Sequence, residues 1–446
     1  MRWLAGLLGA GAGNKVLAAG SAASFPASTD SAPGKMPSES AIPKDGPHEA
    51  SSEAKDAEMM APRIQPRQLA FPADLGAHPA HRTEWWYMTG WLQDRADAGG
   101  SKLYGFQITF FRTRTELPAG TSRFAPSQIV FAHAAITDVA ASQMRHDQRA
   151  ARAGFGVEAA EGDTRIVLRD WRLERLPLSN GSRYLVHAVS EAGRFAMALN
   201  ADTTQAVLLQ GEAGYSRKGS GDGQASHYYS EPQLAVSGQL TLDGRRFDAR
   251  GHAWLDHEWS DALLADGAVG WDWIGMNLDD GSALTAFRLR RADGEASYAG
   301  GSFRTAEGQL RVFGPAEVTF RPGRTWKSPS SGAVYPVEWR VDTPAGRFEV
   351  RALVDGQEQD SRGSTGSYYW EGVSDLYRLA ATPGEPPLND PAREPPQEPS
   401  HERDRDDRDP AHARSRYEAG THRNSPRTRV GRGYLEMTGY SSRLSL

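Results

Sequence analysis

The feature that most constrains this chain is a recurrence of short segments, from Arg67 onward, in which apolar and polar residues alternate. They are Glu84–Leu92, Leu103–Arg112, Ile129–Asp138, Arg165–Leu173, Arg183–Ser190, Arg194–Leu199 and Ala206–Gln210. A period of two is that of a strand with one buried face, and Gly, Asp or Pro clusters punctuate the segments as turns would. A second series follows: Leu234–Leu242, Phe247–Trp259, Gly270–Leu278, Ala283–Arg290, Glu295–Phe303, Leu310–Phe313, Ala316–Phe320, Tyr335–Val341, Arg347–Val354 and Ser367–Val373. Helical spacing is scarce. The pattern predicts an all-β chain with too many strands for one small barrel. Two antiparallel barrels in tandem are expected, over 67–260 and 261–446, with Gly431–Tyr440 returning to close the second.

Composition says which parts stand outside these barrels. Of 446 residues only 39% are hydrophobic, with 47 Gly and 27 Pro, and mean hydropathy is −0.59; such a chain is not packed from end to end. Residues 1–23 place Arg2 before an apolar run and small residues at its end, the pattern of a secretory signal peptide, so a periplasmic or secreted protein is expected. Segment 24–66, rich in Ser, Ala and Pro, reads as a disordered linker. Segment 382–427, with mixed charges and Pro, reads as a solvated, disordered insertion. No other run is long and apolar enough to predict a membrane span. The net charge of −5, without a basic cluster among the alternating segments, gives nucleic-acid binding no electrostatic support. The absence of Cys excludes disulfides, thiolate metal sites and cysteine nucleophiles.

One stretch concentrates chemistry. Gly251–Gly281 crowds Trp254, Trp259, Trp271 and Trp273 with Asp256, Glu258, Asp272 and the imidazoles of His252 and His257, and no Lys or Arg occurs between Arg250 and Arg288. Acids among large aromatics make poor surface and plausible pocket. Taken as a strand, Gly251–Trp259 places His252, Trp254, Asp256 and Glu258 on one face and His257 and Trp259 on the other. One of these sets should meet Glu84-Trp85-Trp86-Tyr87, because the first and last strands of a closed barrel are neighbours.

Several motifs resemble one known family: FPADLGAHPAHRTEWWYMTGWL (Phe71–Leu92), YYSEP (Tyr228–Pro232), GHAWLDHEWS (Gly251–Ser260), GWDWIGMNLDDG (Gly270–Gly281), YPVEW (Tyr335–Trp339), YYWEG (Tyr368–Gly372) and GRGYLEMTGY (Gly431–Tyr440). They are similar, in order and over about 67–381 and 428–446, to the double-lipocalin family of AttH-type proteins, often labelled predicted secreted hydrolases, and carotenoid 1,2-hydratases (hydroxyneurosporene synthases). The AttH-type branch is the nearer. The resemblance implies two lipocalin-like barrels and a small apolar, terpenoid- or lipid-like ligand. It also implies, from the hydratase branch, a His-x-Trp pair, which falls on His257 and Trp259, with His252 and Trp254 at the same spacing.

Adding water to an isolated alkene needs a carboxylic acid kept neutral by apolar or like-charged surroundings, aromatic faces to stabilise a cation, and a base to activate water. Asp256, Glu258, Asp272 and Glu84 are candidate acids and His257 a candidate base or orienter; Trp85, Trp86, Tyr87, Trp254, Trp259, Trp271 and Trp273 are candidate walls. No cofactor or metal is called for: His252 and His257 point to opposite faces and cannot share an ion. A non-catalytic carrier of a lipophilic ligand, or an envelope-associated binding protein, is the alternative, with Asp256-His257-Glu258 as a hydrogen-bonded network that fixes register. His133 reads as a satisfied core histidine, Asp279-Asp280-Gly281 as a hairpin turn, and no G-x-S-x-G elbow supports a serine nucleophile.

Overall fold

The computed structural model describes residues 64–94, 101–115, 127–221, 223–380 and 427–443. Segment 1–23, nearly all of 24–66 and all but the last residue of 382–427 lie outside the described residues. Among the described residues the strands form a 13-stranded sheet, a 10-stranded sheet and a two-stranded ribbon. The one helical element among the described residues is a 3-10 turn at Ala73–Leu75.

The long path of the first sheet runs Gln143–Arg152, Gln128–Asp138, Leu103–Arg114, Thr83–Asp94, Arg245–Ser260, Ala225–Leu242, Phe195–Asp202, Gly181–Ser190, Trp171–Leu178, Arg165–Leu168 and Val157–Ala159. The sheet curls until Gln143–Arg152 lies against Arg165–Leu168. The second runs Leu310–Phe313, Ala296–Arg304, Ala283–Arg291, Ala268–Leu278, Arg427–Met437, Tyr368–Leu379, Gly346–Ala352, Glu338–Thr343 and Thr319–Pro322. In both, the first strand pairs antiparallel with the last. Thr83–Asp94 lies beside Arg245–Ser260 and Ala268–Leu278 beside Arg427–Met437. The all-β, two-barrel expectation is met, and Gly431–Tyr440 returns through Arg427–Met437. The turn at Asp279-Asp280-Gly281 is also met, with Gly281 at φ +89°.

Each sheet encloses its own core. Trp86, Met88 and Leu92 point into the first with Phe106, Ile108, Phe110, Ala253 and Leu255. Ile274, Met276, Leu435, Met437 and Trp370 point into the second. A third cluster holds Tyr87, Trp254, Trp273, Phe287, Val373 and Tyr434. These residues lie on the outer faces of both sheets, so the sheets pack against each other through the same central strands. Those strands are therefore buried on both faces, which ends the simple inside–outside alternation there. The close approach shows at Gly105, where a Cβ would stand 2.8 Å from Tyr434 Oη and from Val373. Polar ties span the contact: Asn277 Nδ2 donates to the Ala253 carbonyl at 3.0 Å and Asn277 Oδ1 accepts from Gln233 N at 2.9 Å.

Candidate functional site

The register of the central strands sets out the site. In the first sheet Asp256 lies between Tyr87 and Ser230, and Glu258 between Trp85 and Tyr228. In the second, Glu436 lies between Trp273 and Glu371. These rows face each other across a cavity of about 100 Å³ lined by Trp85, Tyr87, Tyr228, Trp271, Trp273 and Phe287, with Asp256, Glu258, Glu371 and Glu436. The pocket is thus outside both barrels, between them, and not within either.

Asp256 is 4% exposed. Its Oδ1 accepts from Ser230 Oγ at 2.5 Å and Trp254 Nε1 at 2.6 Å, and its Oδ2 from Tyr228 Oη at 2.7 Å. Burial pushes its pKa up to about 7, with the Glu258 charge adding to the rise; the three donors limit it. Glu436 is half-buried and its pKa is pushed up to about 8, chiefly by desolvation and further by the charges of Asp256 and Glu258. Glu371, its cross-strand neighbour, accepts from Gln107 Nε2 at 2.5 Å and Gln359 Nε2 at 2.8 Å. Desolvation and then the Glu436 charge hold Glu371 well above the usual carboxylate range. Two adjacent buried carboxyls cannot both ionise cheaply, so this pair retains a proton. Glu258 accepts from Ser226 and is paired with Lys218 Nζ at 2.9 Å. Trp273 Nε1 donates to Tyr228 Oη across the sheets at 3.2 Å.

Of the residues singled out in the sequence, Asp256, Glu258, Trp85, Tyr87, Trp271 and Trp273 meet at this cleft, and Trp254 backs Asp256. Strand alternation sends the others elsewhere. Glu84, Trp86, His257 and Trp259 point into one end of the first barrel. There Glu84 accepts from His78 at 2.7 Å, His257 Nε2 at 2.9 Å and Arg112 Nε at 2.8 Å. Trp86 stacks on His257 and Trp259 on His78. Burial alone would raise Glu84's pKa, but its two imidazoles and Arg112 outweigh it and hold the group well below the usual range. Burial lowers His257 to about 4 against the pull of Glu84. Among the described residues His78, Glu84 and His257 are the one group with donor atoms close enough for a metal. Their carboxylate–imidazole distances are those of hydrogen bonds, and Arg112 already supplies the cation, so the set fits a register-fixing plug better than an ion site. Asp272 points into the second barrel, where it accepts from Arg288 Nε at 2.7 Å and Tyr440 Oη at 2.8 Å; it is remote from the cleft chemistry. Both hydratase-branch spacings are divided likewise: His257 and Trp259 lie inside the first barrel, His252 and Trp254 on its outer face.

His133 is satisfied, as expected, at 2.6 Å from Tyr369 Oη and 2.7 Å from Ser364 Oγ, yet it also lines the cleft. Burial lowers its pKa to about 3 and leaves it neutral. The sequence reading did not single out Glu371, Glu436, Tyr369 or Lys218. A signal for Glu436 exists: Gly251, Trp254, Leu255 and Asp256 recur as Gly431, Tyr434, Leu435 and Glu436 at the same spacing.

Two barrel-like sheets clasping an acid-and-aromatic cleft define a class of two-barrel proteins with a cleft between the barrels. The chain belongs to the AttH-like family, whose family model matches residues 62–385. It is 39% identical to an AttH protein of Nitrosomonas europaea of known crystal structure, at TM-score 0.68, covering 85% of this chain and all of that one, 100%. A kievitone hydratase from Fusarium solani subsp. phaseoli is 22% identical over 200 residues, 43% of this chain and 55% of that protein, so the chain spans about half the length of this curated relative. The crystal structure of kievitone hydratase from Nectria haematococca shares the fold at TM-score 0.57 and 13% identity, covering 84% of this chain and 94% of that one. Among the described residues no helix is long and apolar enough to cross a membrane.

Proposed function

We propose that this protein is a cofactor-free hydratase that adds water across a carbon–carbon double bond of an apolar, terpenoid- or lipid-like ligand held between its barrels. The observation that carries the reading is that Asp256 and Glu436, one from each sheet, open on the same aromatic cleft with pKa values raised to about 7 and 8. Kinship with a protein named kievitone hydratase supports it. Glu436, whose proton burial and the charges of Asp256 and Glu258 help retain, is the acid: its O–H proton passes to one alkene carbon and the π pair forms the new C–H bond. Trp85, Trp271 and Trp273 face the cation left on the other carbon. Asp256, held by Ser230, Tyr228 and Trp254, takes a proton from water as the water oxygen bonds to that carbon. One water is consumed, and the proton gained by Asp256 balances the one lost by Glu436. The site of action is proposed to be outside the cytoplasm, because Arg2 and the following apolar run form an export signal; mature protein starting near residue 24 on N-terminal sequencing is the expected result.

The test is kievitone incubated with the protein in oxygen-18 water. A product heavier by one labelled water is expected, with turnover lowered about 100- to 10,000-fold in Asp256→Asn and Glu436→Gln. Retention of an apolar ligand by the purified wild-type protein with no product from any alkene would instead establish a carrier.

A further inference from the structure

We propose that the part of the cleft lined by Asp256, Glu371 and Glu436 is a binding site for an organic cation, an alkylammonium group on a compact apolar body. The inference rests on the cleft being the ligand site, as the hydratase reading does, but on no reaction there.

The cleft already holds one cation of its own. Lys218, from the hairpin before Ala225–Leu242, places Nζ 4.4 Å from the ring centre of Phe287 and 4.9 Å from that of Tyr228, while pairing with Glu258 at 2.9 Å. An ammonium between aromatic faces and backed by a carboxylate is the arrangement that recognises such ligands. The part of the cleft around Asp256, Glu371 and Glu436 repeats it without the ammonium. Its walls are Tyr87, Trp271 and Trp273, with Tyr87 edge-on to Trp273 at 5.5 Å. Its acids are Asp256, Glu371 and Glu436, and Lys218 is the sole Lys or Arg among the residues lining the cleft. The donors to Asp256 and Glu371 are all neutral: hydroxyls, an indole and amides. His133 is engaged by two hydroxyls and brings no charge. Carboxyls buried without a cationic partner are costly, and no side chain hydrogen-bonded to Asp256 or Glu371 supplies one.

A second observation concerns the wall. The Tyr87 hydroxyl, on a residue 4% exposed and lining the cleft, makes no hydrogen bond of good geometry; it is near enough to Glu371 to favour the charged carboxylate. An unsatisfied buried hydroxyl facing a cavity is a polar contact in waiting.

The experiment compares choline with its neutral carbon isostere, 3,3-dimethylbutan-1-ol, by calorimetric titration and quenching of tryptophan fluorescence. Wild-type protein should bind choline about tenfold or more tightly than the isostere, since a cation over a desolvated ring contributes on the order of 1–2 kcal/mol before any ion pairing. Glu371→Gln/Glu436→Gln, checked for an unchanged circular dichroism spectrum, should reduce the ratio to about threefold or less. Equal affinities in the wild type, no binding of either probe, or an undiminished ratio in a folded double variant would each overturn the cation site. If that variant fails to fold, the wild-type ratio decides alone. Selectivity for choline without kievitone turnover would leave this inference standing and remove the hydratase reading; turnover without selectivity would do the reverse.

Discussion

Asp256 shows how one residue in this cleft links stability to pH. Its neighbours Ser230, Tyr228 and Trp254 all favour the carboxylate, yet burial dominates and raises its pKa from 3.8 to about 7. Glu436 is raised from 4.5 to about 8. A group with a raised folded-state pKa contributes stability that is full below its unfolded value and is lost as pH rises through the folded value. The fold should therefore weaken from about pH 4 to 8, a range in which many proteins hold steady. His257, lowered to about 4 by burial, acts in the opposite sense: its contribution is present above the ordinary histidine value and is lost as pH falls through about 4. Asp256→Asn removes the alkaline loss at that position. Thermal denaturation should show the variant more stable than wild type at pH 9, by on the order of 1–4 kcal/mol given about 1.4 kcal/mol per pKa unit, with the gain shrinking below about pH 7 and vanishing only below about pH 4. Parallel pH–stability curves for the two proteins would sink this account of Asp256.

At the scale of the strand, much was legible and one property was not. Period-two alternation located the strands, and the pairing of first with last followed from closure. Gln143–Arg152 escaped because its sequence, QMRHDQRAAR, is polar on both faces; it ends the sheet's path, where such a strand is tolerated. The alternation of Gly251–Trp259 correctly parted Asp256 and Glu258 from His257 and Trp259. It did not say which face opens on the cleft, because both carry tryptophan beside ionisable groups and both are buried, one on the barrel core and one on the other sheet. Glu371 was beyond reach, since only the register that sets it opposite Glu436 gives it meaning. The last strand of each barrel carries a packing demand as well. A Cβ on Gly251 would stand 1.8 Å from the Trp91 carbonyl oxygen, and one on Gly433 would stand 1.9 Å from that of Gly275. Each lies against the backbone of its first strand, which cannot swing aside as a side chain would. Gly251→Ala and Gly433→Ala should each lower stability by on the order of 1–3 kcal/mol in denaturant titration. Gly314→Ala, where the nearest atom is the far end of Glu317 at 3.5 Å, should stay within about 0.5 kcal/mol of wild type. A tolerated Gly433→Ala would mean that the central strands separate more easily than their spacing indicates.

For the molecule as a whole, the cleft exists only because two barrels contribute one wall each. Gln107 of the first sheet holds Glu371 of the second, Trp273 of the second holds Tyr228 of the first, and His133 meets Tyr369. The acid and base of the proposed reaction are divided the same way. Asp256 must be ionised to accept a proton from water, which favours pH above about 7; Glu436 must be protonated to donate, which favours pH below about 8. Because the two groups feel each other's charge, these values belong to the pair. The pH profile of kcat/KM should thus be a narrow bell peaking between about pH 7 and 8 and falling about tenfold per pH unit on either side. Each limb should belong to one barrel. Asp256→Asn should flatten the acid limb and Glu436→Gln the alkaline limb, both at much reduced rate. A profile in which Glu436→Gln erases the acid limb would exchange the two roles, and one that no substitution in the second sheet alters would confine the chemistry to the first barrel.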